Sequence, residues 1–216
     1  MAEIRAGHPA VGMQYEDLRH QSDTALVGMW LFLATEILFF GALLFAYMVY
    51  RLWYPAGFVA AVRHANVLIG TINTAILLTS SFTLTAGLLL ARVGDMRRLV
   101  WACLATMALG LAFIGLKAVE YVEDFHEHLV PGAGFALAET PGAQIFYLFY
   151  YSATGIHLVH LAIGIGLVAY IVRRTRRGDF SARYHTPAEV VGLYWSFVDI
   201  VWLFLYPLIY LVGRGG

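Results

Sequence analysis

The stretch WLFLATEILFFGALLFAY, residues 30–47, contains eighteen residues, and only Glu36 among them carries a charge at neutral pH. An apolar run of this length is sufficient to cross the hydrocarbon core of a bilayer as a helix. A carboxyl group inside such a helix is costly unless it faces protein or water and has a partner. The stretch therefore predicts a membrane-spanning helix and a polar site around Glu36.

The composition of the whole chain also indicates a membrane protein. Of 216 residues, 60% are hydrophobic and 13% are charged, and 14 basic residues balance 14 acidic ones. A water-soluble domain of this size requires a more polar surface, and the balanced charge gives no sign of a nucleic-acid partner. The single cysteine, Cys103, excludes an intrachain disulfide and a cysteine-rich metal site.

Four further apolar runs complete a predicted all-α bundle of five transmembrane helices. The predicted spans are 25–50, 66–91, 98–122, 145–172 and 187–212, which together form a membrane domain of residues 25–213. Residues 1–24 are polar and are predicted to be a cytoplasmic tail rather than a cleaved signal peptide. Pro207 lies in the last third of the fifth span and is expected to kink it.

The basic residues predict how the bundle is oriented. Ten of them lie on one side of the predicted bundle and three on the other, and cytoplasmic loops carry the excess of positive charge. The N-terminus is therefore expected in the cytoplasm and the C-terminus outside. The ten are Arg5, Arg19, Arg92, Arg97, Arg98, Arg173, Arg174, Arg176, Arg177 and Arg183, and the three are Arg51, Arg63 and Arg214.

Several polar residues lie at similar depths in the predicted spans. At 1.5 Å per residue, Glu36, His160, Asp199 and the pair Ser80–Ser81 lie ~16–18 Å from the predicted cytoplasmic helix ends. The sequence thus predicts one polar layer that supplies Glu36 with partners. Its partner residues are expected to be His157, His160, Ser80, Ser81, Thr154 and Ser196.

His157 and His160 share one face of the fourth predicted helix. We expect both to be interior histidines that hydrogen-bond with Glu36, Thr154 or a backbone carbonyl. Two neighbours on one helix cannot hold a haem from opposite faces, and the Glu-x-x-His motifs of a carboxylate-bridged metal site are missing. No metal or haem is therefore expected in this chain.

Lys117 and Glu120 are three residues apart, so they lie on the same face of the third predicted helix. They are predicted to form an ion pair at the membrane interface near the outer end of that helix. The alternative is contact with a lipid headgroup or a partner subunit.

Four more motifs follow the opening stretch along the chain: NTAILLTSS (73–81), KAVEY (117–121), TGIHLVHLAIG (154–164) and YWSFVDIVWLFLYPLIY (194–210). In this order they resemble subunit III of haem-copper terminal oxidases, the cytochrome c oxidase subunit III family. The resemblance covers roughly residues 20–213. Full-length members have seven helices, and this chain resembles the last five, as shorter bacterial members do.

The resemblance implies a non-redox subunit of a respiratory oxidase in the bacterial cytoplasmic membrane. Its main partner would be the catalytic subunit I, with subunit II and a small subunit IV as further partners. Haem and copper are then expected in the partner subunits only. The family's third subunit holds phospholipid in a cleft and sustains proton uptake. Because the two absent helices form one wall of that cleft, another subunit would have to supply it.

The resemblance also assigns individual residues. Glu36 matches the family's buried glutamate, which reacts with carbodiimides. Glu120, Asp199, His157 and His160 match further polar positions of the family motifs. One departure is Ser196, which stands where many members have histidine, so a role that rests on that histidine does not carry over.

Other functions remain open from the sequence alone. Within the family, the alternatives are the subunit III of a quinol oxidase and the accessory protein of a nitric oxide reductase. Outside it, the alternatives are a stand-alone haem protein and a proton-coupled transporter with Glu36 and Asp199 as relay groups. Inverted repeats and broken helices, which are frequent in transporters, are not evident.

Overall fold

The computed structural model describes residues 18–181 and 184–213, and helices dominate both ranges. The elements are α1 (Leu18–Trp53), α2 (Pro55–His64), α3 (Val67–Arg92), α4 (Met96–His126), α5 (Ala143–Arg176), α6 (Thr186–Tyr206) and a π-helical turn (Pro207–Leu211). Within the described ranges no β-strand occurs, only an isolated bridge between Ser181 and Tyr184. The predicted all-α fold is confirmed.

Five of the helices are long and apolar enough to span a membrane, as predicted. The spans are Arg19–Trp53, Val67–Arg92, Met96–His126, Ala143–Arg176 and Thr186–Leu211. The short helix α2 in the first connection was not predicted, and α1 begins at Leu18, inside the stretch predicted as a polar tail. Residues 1–17 of that tail, together with Arg5, Arg183 and Arg214, lie outside the described residues.

Local sequence explains where the helices begin and end. The Asn66 side chain accepts a hydrogen bond from the Ile69 N–H at 3.3 Å, and the Asp95 side chain accepts one from the Arg98 N–H at 3.0 Å. These are N-caps, which satisfy donors that have no partner inside the helix. Gly94, with φ of 86°, allows the tight turn between α3 and α4.

The end of α6 shows the effect of Pro207. Proline has no N–H and disturbs α-helical hydrogen bonding, and the backbone changes from α to π geometry at this residue. Two side chains of α1 bond to carbonyls of this segment: the Tyr47 hydroxyl donates to Leu208 O at 2.6 Å, and Arg51 donates to Val212 O at 3.2 Å.

Four helices form a closed ring in which each helix packs against the next. The order around the ring is α3, α4, α5 and α6, and α6 closes the ring against α3. The helix α1 lies outside the ring against α5 and α6. In the most apolar part of each span, 61% of the residues of α6 are buried inside the protein, compared with only 17% of those of α1. The helix α6 is therefore central, and α1 is the peripheral helix.

Candidate functional sites in the bundle

Glu36 of α1 contacts His160 of α5. The carboxylate Oε2 lies 3.1 Å from the imidazole Nε2, while Nδ1 lies 2.9 Å from the Ile156 carbonyl oxygen. A carbonyl oxygen can only accept, so Nδ1 carries a proton and donates it. Nε2 is left to accept from a protonated Glu36 or, as imidazolium, to pair with its carboxylate. The predicted contact between these two residues is confirmed.

This pair lines a groove between α1, α5 and α6 with a volume of about 460 Å³. The Glu36 side chain is 19% exposed and that of His160 is 16% exposed, so both remain accessible from the apolar phase around the bundle. The Tyr194 hydroxyl donates to the backbone carbonyl of His160 at 3.0 Å and holds α6 against this part of α5. The other groove residues are Met29, Phe32, Ile163, Leu167, Val190 and Val191.

A second polar site, the lysine cluster, consists of Lys117, Glu120, Tyr150 and Tyr210 from α4, α5 and the π-helical turn. Lys117 Nζ donates to Glu120 Oε2 at 2.9 Å, to the Tyr150 hydroxyl at 3.2 Å and to the Tyr210 hydroxyl at 3.0 Å. The Tyr210 hydroxyl in turn donates to Glu120 Oε1 at 2.6 Å. Lys117 also lies 4.7 Å from the centre of the Tyr150 ring, a favourable cation–π distance.

The predicted ion pair between Lys117 and Glu120 is present, but the alternative contact with a lipid headgroup or a partner subunit is wrong. The side chain of Lys117 is 0% exposed and that of Glu120 is 3% exposed, so neither can reach a lipid headgroup or a partner subunit. Tyrosines of α5 and of the π-helical turn cover the pair, so it is shielded inside the ring of helices. A buried charge requires such compensation, since desolvation of both ions is expensive.

The third polar site joins α3, α4 and α6 and contains Ser80. The Ser80 hydroxyl donates to Leu77 O at 2.7 Å and accepts from the Trp195 indole N–H at 3.1 Å. Thr83 and Thr106 meet next to it, with their hydroxyl oxygens 2.9 Å apart. The bonds from Trp195 to Ser80 and between Thr83 and Thr106 connect helices of the ring to one another, and none of the bonds at this site reaches Glu36.

The single polar layer predicted around Glu36 is therefore wrong. Only His160 bonds to Glu36 within the described residues. Thr154 instead pairs with the Tyr121 hydroxyl at 2.5 Å and donates to Tyr150 O at 2.6 Å. Depth along a helix gives no information about which way a side chain faces, and α6 lies between α1 and the serines of α3.

His157 and Asp199 also depart from the expectation. His157 is 1% exposed and packs between the rings of Phe113 and Trp202, at centroid distances of 5.5 and 5.2 Å. Neither of its ring nitrogens has a hydrogen-bonding protein partner among the described residues. Asp199 is 5% exposed and lies against Ser81, yet its oxygens make no hydrogen bond of ordinary geometry there. His157 is thus not the hydrogen-bonded histidine that we expected.

Ser196 belongs to α6 and faces a different side of α1 from the one that carries Glu36. It lines an apolar groove of about 320 Å³ between α1 and α6, together with Trp30, Phe40, Gly41 and Phe197. The serine leaves this groove open, because a larger ring at the same position would project into it.

Sequence reasoning missed the tyrosines that complete the lysine cluster. Four polar residues of α5 recur at the spacing of one helix face: Tyr147, Tyr150, Tyr151 and Thr154. This spacing could have predicted a polar face on α5. Tyr210 could not be found in this way, because its contact with Glu120 joins residues 90 positions apart. Among residues 18–181 and 184–213, no three His, Cys, Asp or Glu side chains converge as a metal site would require.

The chain is similar to known proteins along almost its whole length. The family model described as cytochrome c oxidase subunit III matches residues 19–214. The chain is 33% identical over 200 residues to cytochrome c oxidase subunit 3 of Thermostichus vulcanus, covering 89% of each chain. It is 29% identical over 212 residues to quinol oxidase subunit 3 of Bacillus spizizenii, covering 97% of this chain and 98% of the relative. It is 33% identical over 196 residues to cytochrome c oxidase subunit 3 of Sus scrofa, covering 86% of this chain and 69% of the relative.

Proposed function

Because this chain belongs to the cytochrome c oxidase subunit III family, we propose that it is the non-redox third subunit of a haem-copper respiratory oxidase. The family match over residues 19–214 is the observation that carries this proposal, because it includes all five membrane-spanning helices. Haem and copper belong to the partner subunits in this proposal. The catalytic subunit I is the main partner, and subunit II and a small subunit IV are further partners within the complex.

We propose that the chain stabilises the catalytic subunit and supports proton uptake during turnover. The polar sites described above fit this role, since their bonds join helices to one another. The Glu36–His160 pair fixes the peripheral helix α1 on α5, and the lysine cluster connects α4, α5 and the chain segment after α6. Phospholipid in grooves beside α1 would belong to the same stabilising function.

The experiment for this role compares the purified oxidase complex with and without the chain. We expect the depleted complex to start at a similar rate of oxygen reduction but to inactivate within fewer turnovers. Adding the purified chain back should restore the turnover lifetime. An unchanged lifetime after depletion contradicts the proposed support of proton uptake.

A quinol oxidase is the second candidate complex. It is favoured by the similarity to the quinol oxidase subunit 3 of Bacillus spizizenii over 97% of this chain. The electron donor separates the two candidates: oxygen uptake by the purified complex should respond to reduced cytochrome c in the first case and to a reduced quinol in the second. Activity with nitric oxide as the only electron acceptor would instead indicate a nitric oxide reductase complex.

We further propose that the chain lies in the bacterial cytoplasmic membrane with its N-terminus in the cytoplasm and its C-terminus outside. The asymmetric distribution of arginine supports this orientation. The connections after α3 and α5 then face the cytoplasm, together with the helix ends that flank them, where most of the arginines lie. The connection between α4 and α5 contains no Lys or Arg between residues 127 and 142 and faces outside.

A further inference from the structure

A pocket of about 300 Å³ lies between the beginning of α4 and the end of α5. None of its lining residues belongs to the Glu36–His160 groove or to the lysine cluster. The lining residues are Met96, Arg97, Val100, Trp101, Leu104, Thr175 and Arg176. We propose that this pocket binds an anionic phospholipid, with its phosphate between Arg97 and Arg176 and an acyl chain along α4.

The charge of the pocket is the first argument. Arg97 and Arg176 are exposed, and neither has an ion-pair or hydrogen-bond partner among the described residues. Their neighbours differ: Arg98 pairs with Asp95 at 3.4 Å, and Arg174 pairs with Asp179. The two arginines that line the pocket are therefore available to a ligand, as are Arg173 and Arg177, which lie outside it. Guanidinium groups bind phosphate oxygens through charge-assisted, often bidentate hydrogen bonds.

The other polar groups of the pocket favour an anion in the same place. The Thr175 hydroxyl already donates to Ile171 O at 2.8 Å, so the two arginines supply the side-chain donors. The pocket lies beside the N-terminal end of the 31-residue helix α4, where the helix dipole is positive. No Asp or Glu lines the pocket. The C-terminal end of α5 carries the opposite, negative dipole, so the positive potential that a negatively charged ligand meets comes mainly from Arg97 and Arg176.

The apolar wall of the pocket distinguishes a lipid from a free ion. Val100, Trp101 and Leu104 continue along α4 from Arg97 toward the membrane interior, and Leu104 lies ~10 Å further along the helix. Trp101 is 64% exposed, so its large aromatic surface is available to a ligand in the pocket. A phosphate ion would leave this wall uncovered, whereas a phospholipid covers it with glycerol and acyl carbons. Basic pockets at helix ends are general binding sites for acidic lipid headgroups.

This inference does not depend on the identity of the complex. A bound phospholipid can be counted whether the chain is purified with a cytochrome c oxidase, a quinol oxidase or a nitric oxide reductase. Failure of the lipid test would therefore leave the proposed oxidase role untouched, and failure of the oxidase role would leave the lipid count unchanged.

The test compares the complex that contains wild-type chain with the double variant Arg97→Gln/Arg176→Gln. The matched control is Arg98→Gln/Arg177→Gln, which removes the same charge from adjacent positions that do not line the pocket. Each complex is purified in mild detergent, and its bound phospholipids are extracted and counted by mass spectrometry. We expect the pocket variant to lose one anionic phospholipid per chain, while the control retains it.

A titration identifies the bound species. Delipidated complexes are placed in phosphatidylcholine nanodiscs that contain increasing amounts of phosphatidylglycerol, or they receive inorganic phosphate instead. Loss of two charge-assisted contacts should weaken phosphatidylglycerol binding by about tenfold or more in the pocket variant, and Arg97→Lys/Arg176→Lys should recover part of it. An unchanged lipid count, an equal loss in the control, or full occupancy by inorganic phosphate alone would overturn the proposal.

Discussion

His160 binds Glu36 through Nε2 while its Nδ1 is held by the Ile156 carbonyl, so one imidazole connects the peripheral helix α1 to the ring of four helices. The hydrogen bond to the Ile156 carbonyl, on the same helix, fixes the orientation of the imidazole and directs its Nε2 toward α1. Because both side chains remain about one-fifth exposed, the contact lies in an accessible groove rather than in the closed interior. This accessibility separates Glu36 from Glu120, whose side chain is 3% exposed inside the lysine cluster.

The first prediction concerns chemical labelling of Glu36. A hydrophobic carbodiimide reacts with protonated carboxyl groups in apolar surroundings, and the groove around Glu36 offers such a site. We expect Glu36→Gln to abolish labelling of the α1 peptide and to leave assembly of the complex intact, since the amide can still bond to His160. Peptide mass spectrometry measures the label. The control is Glu139→Gln, an exposed loop position that should leave labelling of α1 unchanged; strong labelling of α1 in Glu36→Gln would refute the assignment.

The second prediction concerns the lysine cluster. Glu120→Leu leaves Lys117 buried without its counter-ion, and removal of one partner of a buried pair lowers the free energy of unfolding by about 3–5 kcal/mol. The double variant Lys117→Met/Glu120→Leu removes both charges, so we expect it to be more stable than Glu120→Leu. Unfolding in detergent micelles measures both. Glu123→Leu, at an exposed position of the same helix, is the control, and equal stability of the single and double variants would count against a charged buried pair.

A third prediction uses the tyrosine that closes the lysine cluster. Tyr210→Phe removes a hydroxyl that donates to Glu120 and accepts from Lys117. The loss leaves buried charged groups with fewer partners, so the free energy of unfolding should fall by about 1–3 kcal/mol. Tyr206→Phe also removes a hydroxyl, but its partner Thr71 is exposed, and a smaller change is expected. A larger loss for Tyr206→Phe would contradict the role assigned to the cluster.

Tight packing of α2 gives a fourth prediction. A β-carbon at Gly57 would lie 2.1 Å from the Pro141 carbonyl oxygen and 2.7 Å from the Ala143 nitrogen, both of them backbone atoms. Gly57→Ala should therefore lower the free energy of unfolding by about 1–3 kcal/mol. Gly115→Ala places its β-carbon in open space and serves as the control. Equal thermal midpoints for the two variants would show that α2 does not pack there.

The fifth prediction tests the orientation of the chain. Cys103 is 1% exposed, so the native thiol should give little background with a membrane-impermeant maleimide. We expect Ala136→Cys, in the connection between α4 and α5, to be labelled in intact spheroplasts. Arg177→Cys, after α5, should be labelled only in inverted vesicles. The opposite pattern would reverse the proposed topology.

The sequence was sufficient to predict the five spans and two of the side-chain pairs. Span prediction succeeds because a bilayer requires long apolar helices, and the Lys117–Glu120 pair follows from helical spacing alone. The Glu36–His160 contact was predictable because both residues lie at the same depth and on helices that happen to be neighbours. The same reasoning failed for Ser80, Ser81 and Asp199, since depth does not determine the angular position of a side chain or the order of helices.

The remaining features depend on tertiary contacts. Tyr210 reaches Glu120 from the segment after α6, and Trp195 reaches Ser80 from a helix 115 residues away in sequence. The short helix α2 is too brief to be recognised by its apolar pattern, although Pro55 stands at its first turn. The pocket of Arg97 and Arg176 also required the structure, because it shows which arginines already have partners.

Identification of the chains that co-purify with this protein tests its membership of an oxidase complex most directly. The chain is isolated from membranes in mild detergent, its partners are identified by mass spectrometry, and haem and copper are measured in the same preparation. We expect stoichiometric recovery of a haem- and copper-bearing subunit I, together with subunit II. Recovery of the chain alone, or with the subunits of a nitric oxide reductase and no copper, would contradict the proposed function.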